Sequence, residues 1–445
     1  MPFDVVIGRN ESDKKKFGSK GTILLGKTYV KMGQTTSMSN PIYMDVIRSH
    51  VVFVVGKRGG GKSYSAGVIA EGMIDLPDEV SKNLSIIMLD TMGIYWTMKY
   101  GNEKDSDLLE MWGLKPKGLE KIKIFAPIGY YDKAKEDGIP VDEKFAIKAS
   151  ELSGEDWRLA FGLEPSNPVS ILIEKTLGDL AENKIYQYDI DHMIEAMQKD
   201  DSFENNTKNE AINRLKVAKR WGLFAEEGTK IDVLIEGGKV SVLDVSAYAT
   251  EEGGWGVKSL VIGLIANKIF IERMISRKLE EIEAIKTGYS YFQLEEETRE
   301  EQKPLIWFII DEAHEMLPAE GKTAATDALV TILREGRQPG LSLLLITQQP
   351  GKIHSDVMTQ SDIVLAHRLT ARRDVDALNS MMQSYLGETL TGYLNMLPGE
   401  KGAAIVLDDN SERLFPMRVR PRFTWHGGEA PTALKYKRSQ HLGLD

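Results

Sequence analysis

The chain has 445 residues, 42% of them hydrophobic, enough to bury sizeable cores and, at about 150 residues per domain, to divide into about two to three parts. A formal net charge of -10 argues against nonspecific coating of nucleic acid, although nucleic acid held in a channel answers only to the local field there. The absence of cysteine excludes disulfides and thiolate metal sites.

The N-terminus, Met-Pro-Phe-Asp-Val-Val-Ile-Gly-Arg, lacks the basic-then-apolar pattern of a signal peptide. Residues 260–271, the longest fairly apolar helical stretch, are interrupted by Asn267 and Lys268 and are too short to span a bilayer. No membrane anchor and a cytoplasmic location are therefore expected. Over residues 1–47, strands are expected at 4–7, 22–25 and 28–31, with turns at 18–21 and Gly26. This is a short β-rich segment, at most a reduced barrel.

Val51–Val55 is an apolar run that leads directly into Gly56-Lys57-Arg58-Gly59-Gly60-Gly61-Lys62-Ser63, of the form GxxxxGK[ST], and then into a helix-like stretch at 66–73. Such a loop needs Gly56, Gly59, Gly60 and Gly61 because its backbone must come close to phosphates, with N–H groups turned inward as an anion nest. Lys62 is expected to reach the β- and γ-phosphates of ATP and Ser63 to place its hydroxyl on Mg²⁺. The helix opening at Ser63 and Tyr64 points its positive end at the same charge.

The core expected at 48–148 resumes at 235–425, interrupted at 149–234 by a helical insertion. Apolar residues recur at helical spacing in 170–183, 190–198 and 209–221. A strand at 240–245 returns the chain to the sheet, a long helix follows over 256–279, and 295–303 is a charged connection. Leu305–Ile310 is continuously apolar, as a parallel strand covered on both faces requires, and it ends in Asp311-Glu312. Asp311 suits Mg²⁺, whose hard character favours oxygen ligands, and Glu312 suits polarisation of an attacking water.

A helix starting near Ala324 ends in Leu333-Arg334-Glu335-Gly336-Arg337-Gln338-Pro339-Gly340. Arg337 or Arg334 is the candidate finger supplied to a neighbouring subunit's γ-phosphoryl group, although helix C-termini also attract cations for dipole reasons. The strand expected at 341–346 ends in Thr347-Gln348-Gln349-Pro350, where Gln348 is the candidate sensor of the γ-phosphate or lytic water. Basic clusters at 14–16, 115–123 and 208–220, and at Arg368, Arg372 and Arg373, are candidate phosphate contacts that carry no sequence information. The seven histidines show no ligand spacing on a helix, so no metal other than Mg²⁺ is expected. His314 follows Glu312 closely enough to suggest a coupling residue, but it is expected to pack or cap at its strand end.

Strand, loop, acidic pair and sensor follow the order of RecA-like NTPases. Phe308-Ile-Ile-Asp-Glu-Ala-His-Glu-Met-Leu-Pro318, Glu335-Gly-Arg-Gln-Pro-Gly340, Thr347-Gln-Gln-Pro350 and the 362–370 stretch resemble the HerA branch of the HerA/FtsK superfamily of DNA-translocating ATPases. Asp90-Thr-Met-Gly-Ile-Tyr95 resembles the family's second-strand motif, and 399–419 with 423–428 resembles its C-terminal hairpin and tail, so the likeness covers most of the chain. The resemblance implies an α/β fold with a mostly parallel RecA-like sheet and helices on both faces. It also implies a homo-hexameric ring that moves double-stranded DNA, often with a nuclease partner.

By the family's pattern, Lys62, Ser63, Asp311, Glu312, Gln348 and Arg337 take the roles already assigned by their chemistry. Three departures stand out. Ile94 occupies the place of a usual Glu, Gln338 that of a usual basic residue, and the segment before His50 is shorter than the family's N-terminal barrel. Residues 426–445 are expected to be a C-terminal tail. A conjugation or genome-packaging ATPase of the same superfamily, and a nucleotide-gated scaffold of a defence or repair complex, are the alternative expectations.

Overall fold

A computed structural model describes residues 4–32, 35–251, 253–289, 303–382, 392–394 and 397–428. The charged connection expected at 295–303 lies outside the described residues except for Lys303, and so does the tail beyond residue 428.

The strands are β1 (Val5–Ile7), β2 (Thr22–Met32), β3 (Thr35–Asp45), β4 (Val51–Val55), β5 (Leu84–Asp90), β6 (Ile122–Pro127), β7 (Glu143–Phe145), β8 (Val240–Asp244), β9 (Leu305–Ile310), β10 (Leu341–Thr347), β11 (Ile363–His367), β12 (Ala403–Asp408) and β13 (Arg413–Val419). Among the described residues they form one 13-stranded sheet in the order β1-β3-β2-β13-β12-β11-β4-β10-β9-β5-β8-β6-β7. From β11 to β7 every neighbouring pair is parallel. From β11 through β12, β13 and β2 to β3 every pair is antiparallel.

The parallel block is buried on both faces, which is why its strands read as uninterrupted apolar runs. In β10 the alternation sends Leu343 and Leu345 to one core and Leu344 and Ile346 to the other. The helix Lys62–Ile74 covers the second face with Ala66, Val68, Ile69 and Met73. The first face takes the helix Gly254–Tyr289 through Val257, Val261, Ile265 and Ile269.

That same face carries the insertion helices Pro168–Glu182, Ile190–Lys199 and Asn205–Arg220. Their buried Leu172, Ile173, Met193 and Leu215 belong to one continuous core with Phe308 and Leu343 of the sheet. The apolar stretch expected over 260–271 is part of a far longer helix, long and apolar enough to cross a membrane by length and composition alone. Its apolar residues from Val257 to Ile269 are taken up by the core, while Ile271, Ile275 and Leu279 are exposed.

The N-terminal strands correct the expectation of a reduced barrel. They extend the main sheet, because β2 pairs with β13 through Met417↔Thr28 and Val419↔Gly26. The turn expected at Gly26 is absent; β2 runs through it with register irregularities on either side. A Cβ at Gly26 would stand 2.1 Å from the Arg418 carbonyl oxygen, so this glycine marks a close approach between strands. The helix Glu11–Phe17 was not expected; Asn10 caps it by accepting from the Asp13 amide at 2.8 Å.

Buried Arg9 ties this segment down through Asp45 and the Gly18 and Lys20 carbonyls. His50 then joins Asp45 (3.0 Å) to Asp362 (2.6 Å) at the start of β4 and β11.

Candidate active site

Strand β4 lies between β10 and β11, and the loop at its carboxyl end opens onto the edge where ligands bind in open parallel sheets. Gly59 (φ 71°) and Gly61 (φ 103°) hold left-handed conformations that side-chain-bearing residues rarely adopt. The Gly60 amide closes the turn on the Lys57 carbonyl at 3.0 Å, and a Cβ at Gly60 would stand 2.9 Å from that same oxygen.

His367, at the end of β11, seats the loop from beneath. Its Nε2 lies 2.9 Å from Ser65 Oγ and its Nδ1 3.2 Å from the Ala403 carbonyl, and a Cβ at Gly56 would come within 2.6 Å of its own Cβ. Burial pushes the imidazole pKa down to about 4, so this support is a neutral group.

Lys62 reaches back to the Lys57 carbonyl at 3.2 Å. Burial pushes its ammonium pKa down, and Asp311 followed by Glu312 pulls it back up. The loop thus holds a cation facing two carboxylates.

Strand β9 delivers those carboxylates. Asp311 Oδ1 accepts from the Glu312 amide at 2.8 Å, and Oδ2 accepts from Ser63 Oγ at 2.7 Å and from the Tyr95 hydroxyl at 3.4 Å. Glu312 has φ 51°, a left-handed conformation uncommon for a residue with a side chain. The Gln348 amide donates to Glu312 Oε1 at 3.2 Å, while Oε2 is buried with no hydrogen-bond partner among the described residues, His314 Nδ1 standing 3.6 Å from it. Burial first, then Asp311, raises the Glu312 carboxyl to about 7, against the opposing pull of Lys62. A carboxyl poised near neutrality suits proton acceptance.

The structure therefore brings Lys62, Ser63, Asp311, Glu312 and Gln348 together. The Ser63 hydroxyl and the Asp311 carboxylate form a hard-oxygen set that fits Mg²⁺, with phosphate and water completing its shell.

The 90–95 motif acquires a physical task. Asp90 accepts from the amides of Met92 (3.2 Å), Gly93 (2.7 Å) and Tyr95 (2.7 Å), and this turn aims the buried Tyr95 hydroxyl at Asp311. Burial, reinforced by Asp244 on β8, pushes the Asp90 carboxyl up to about 7. Sequence reasoning missed His367, gave Tyr95 no role of its own within its motif, and set His314 aside. The last links strand ends, with Nδ1 3.0 Å from Thr347 Oγ1 and Nε2 3.2 Å from Gln349 Nε2.

Three expected site residues lie elsewhere or face away. The turn with Arg337 feeds the start of β10: the Leu341 amide bonds the Gly336 carbonyl and the Ile306 amide bonds the Gly340 carbonyl. That is the opposite end of the parallel strands from the phosphate loop, a strand length of about 20 Å away. Arg334 pairs with Asp356 at 2.6 Å, and Arg337 is exposed. Neither arginine belongs to this chain's own loop. The Tyr64 hydroxyl turns to the C-terminal segment, accepting from the Arg422 amide at 2.7 Å.

That segment clamps the loop helix. Buried Glu71 takes Arg420 Nη1 at 2.5 Å and Thr424 Oγ1 at 2.6 Å, and a Cβ at Gly67 would stand 2.5 Å from the Arg422 guanidinium. Of the basic clusters, Lys117, Lys121, Lys123, Arg214 and Lys219 are ion-paired within the chain.

The "DNA double-strand break repair helicase HerA" of Pyrococcus furiosus is 26% identical over 149 residues, covering 32% of this chain and 26% of that protein. The "Probable DNA double-strand break repair helicase HerA" of Methanocaldococcus jannaschii is 28% identical over 183 residues, covering 38% and 35%. The matched regions thus span about a quarter to a third of these relatives. Among solved structures, VirB4 of Thermoanaerobacter pseudethanolicus superposes with a TM-score of 0.54 at 13% identity, over 91% of this chain and 97% of that one, a likeness of fold. The model of the family described as "Helicase HerA, central domain" matches residues 30–269, over half of the sequence, and the chain, with its P-loop ATPase fold, belongs to that family.

Proposed function

We propose that this chain hydrolyses ATP and uses the cycle to move double-stranded DNA, as a homo-hexameric ring whose active sites are completed by the neighbouring subunit. The observation that carries the reading is the hydrogen bond between Ser63 and Asp311, which places the phosphate loop and the acidic strand end in one site.

Lys62 and the loop amides would hold the β- and γ-phosphates. Glu312 would take a proton from the attacking water as the oxygen–phosphorus bond forms at the γ-phosphorus and the bond to the β-phosphate oxygen breaks. Gln348 would orient that water and Glu312 together. Ser63 and Asp311 would hold Mg²⁺, which would supply charge neutralisation on the phosphate oxygens. Arg337, exposed at the strand end remote from its own loop, is offered to the next subunit's γ-phosphoryl group, and the same placement supports the ring.

Family membership supports DNA as the partner. Relatives named as double-strand break repair helicases support a role in DNA processing, with a nuclease as co-worker. The proposed location is the cytoplasm. The test is ATP turnover with and without linear duplex DNA, with Glu312→Gln as the control. Strong stimulation, abolished by the substitution, is expected. A rate indifferent to DNA overturns the motor reading in favour of a nucleotide-gated scaffold.

A further inference from the structure

The β9–β10 ladder pairs Leu341↔Ile306 through Leu345↔Ile310 and stops there. Asp311 and Glu312 on one strand end, and Thr347 and Gln348 on the other, lie beyond it. Backbone pairing therefore does not fix the distance between Gln348 and Glu312, and side chains must do so.

His314 is built for that task. It follows Glu312 in a single helical turn, and its buried ring contacts Thr347 Oγ1 at 3.0 Å and Gln349 Nε2 at 3.2 Å, the two residues flanking Gln348. Thr347 Oγ1 also accepts from the Gln349 amide at 3.0 Å, locking the two anchor points together. Gln348 then returns to Glu312 at 3.2 Å, which closes a loop of contacts between the strand ends. Glu312 sits in a left-handed conformation that persists only where its surroundings over-determine it.

We propose that His314 is a positioning residue for hydrolysis: by gripping both neighbours of Gln348, it sets where Gln348 and Glu312 meet. The inference rests on Glu312 and Gln348 acting on the lytic water, as proposed above. A misplacement of about 1 Å at such a pair is worth up to about a hundredfold in rate. A histidine that merely filled space would leave no signature in the coupling to Gln348.

The test uses the full chain, steady-state ATP turnover and the binding of a fluorescent ATP analogue. His314→Phe keeps the bulk, and Thr347→Val removes the hydroxyl from the other end of the contact. Each is expected to lower kcat about tenfold to a hundredfold while holding nucleotide Kd within about twofold. In a Gln348→Ala background, neither should add to the loss.

Equal losses with and without Gln348 overturn the proposal, and so does unchanged kcat. So does a parallel fall of affinity and melting temperature in both variants. A wild-type chain without turnover sinks the reading of the site as well. Wild-type turnover with unaffected variants sinks this inference alone.

Discussion

Ser63 Oγ donates to Asp311 Oδ2 over 2.7 Å, joining residues 248 positions apart in the chain. Ser63 opens the helix that follows β4 and Asp311 follows β9, and β10 runs between those two strands, so the bond spans the end of β10. Replacing Asp311 by Asn keeps the shape but removes the charge that holds the hydroxyl and suits a divalent cation. Asp311→Asn is expected to cut the Mg²⁺-dependent gain in nucleotide affinity about tenfold or more. Binding in EDTA should stay unchanged. Fluorescent-nucleotide titrations with and without Mg²⁺ measure both.

Glu312→Gln should lower turnover by about 10²- to 10⁴-fold with nucleotide binding retained. Because burial raises the wild-type carboxyl to about 7, and only the ionised form accepts a proton, turnover should climb as pH rises through about 7. The residual rate of the Gln variant should lack that step. A pH–rate profile of both chains checks the sign.

Arg337→Ala should reduce turnover by about 10³-fold or more while its own phosphate loop still binds nucleotide. Since that turn and the loop lie at opposite ends of the parallel strands, two inactive chains should complement each other. A mixture of Arg337→Ala with Lys62→Ala is expected to recover turnover that neither shows alone. Failure to recover it in an assembled ring would place Arg337 outside the site.

Burial alone would depress the His50 imidazole, but Asp362 and Asp45 outweigh it and hold the pKa at about 9, against an ordinary 6.5. A histidine raised in this way stabilises the fold fully below the ordinary value, and the contribution fades as pH rises through about 9. Unfolding free energy in urea should therefore fall by on the order of a few kcal/mol between those limits. His50→Gln should flatten the dependence.

Glu71 is fully buried against Arg420 and Thr424. Glu71→Ala leaves a buried guanidinium without its carboxylate and should cost about 3–5 kcal/mol in urea unfolding. Because the clamp holds the loop helix to the C-terminal segment, the loss should appear in nucleotide-free protein too.

The parallel core was legible because burial on both faces leaves an uninterrupted apolar signature, as in Val51–Val55, Leu305–Ile310 and Leu341–Thr347. The phosphate loop and Asp311-Glu312 were legible because each is a short motif at a strand end. The N-terminal strands were not. Gly26 reads as a turn when considered alone, and only the Arg418 carbonyl, far along the chain, shows that the missing Cβ serves strand approach.

His314, His367 and Tyr95 were illegible for a related reason. Each acts through a partner brought in by a distant part of the chain, and spacing along one segment carries no trace of it. Chain order also hid which end of the strands the arginines occupy. Tyr64 sits beside the loop in sequence, yet its hydroxyl answers to Arg422.

The position of β4 has a consequence for biosynthesis. Both strands that flank it, β10 and β11, are translated long after it, at residues 341–347 and 363–367. A nascent chain emerging from the ribosome carries the apolar strand β4 before either of its sheet neighbours has been made. Such late, long-range closure slows folding and leaves strand edges open meanwhile, where they favour aggregation.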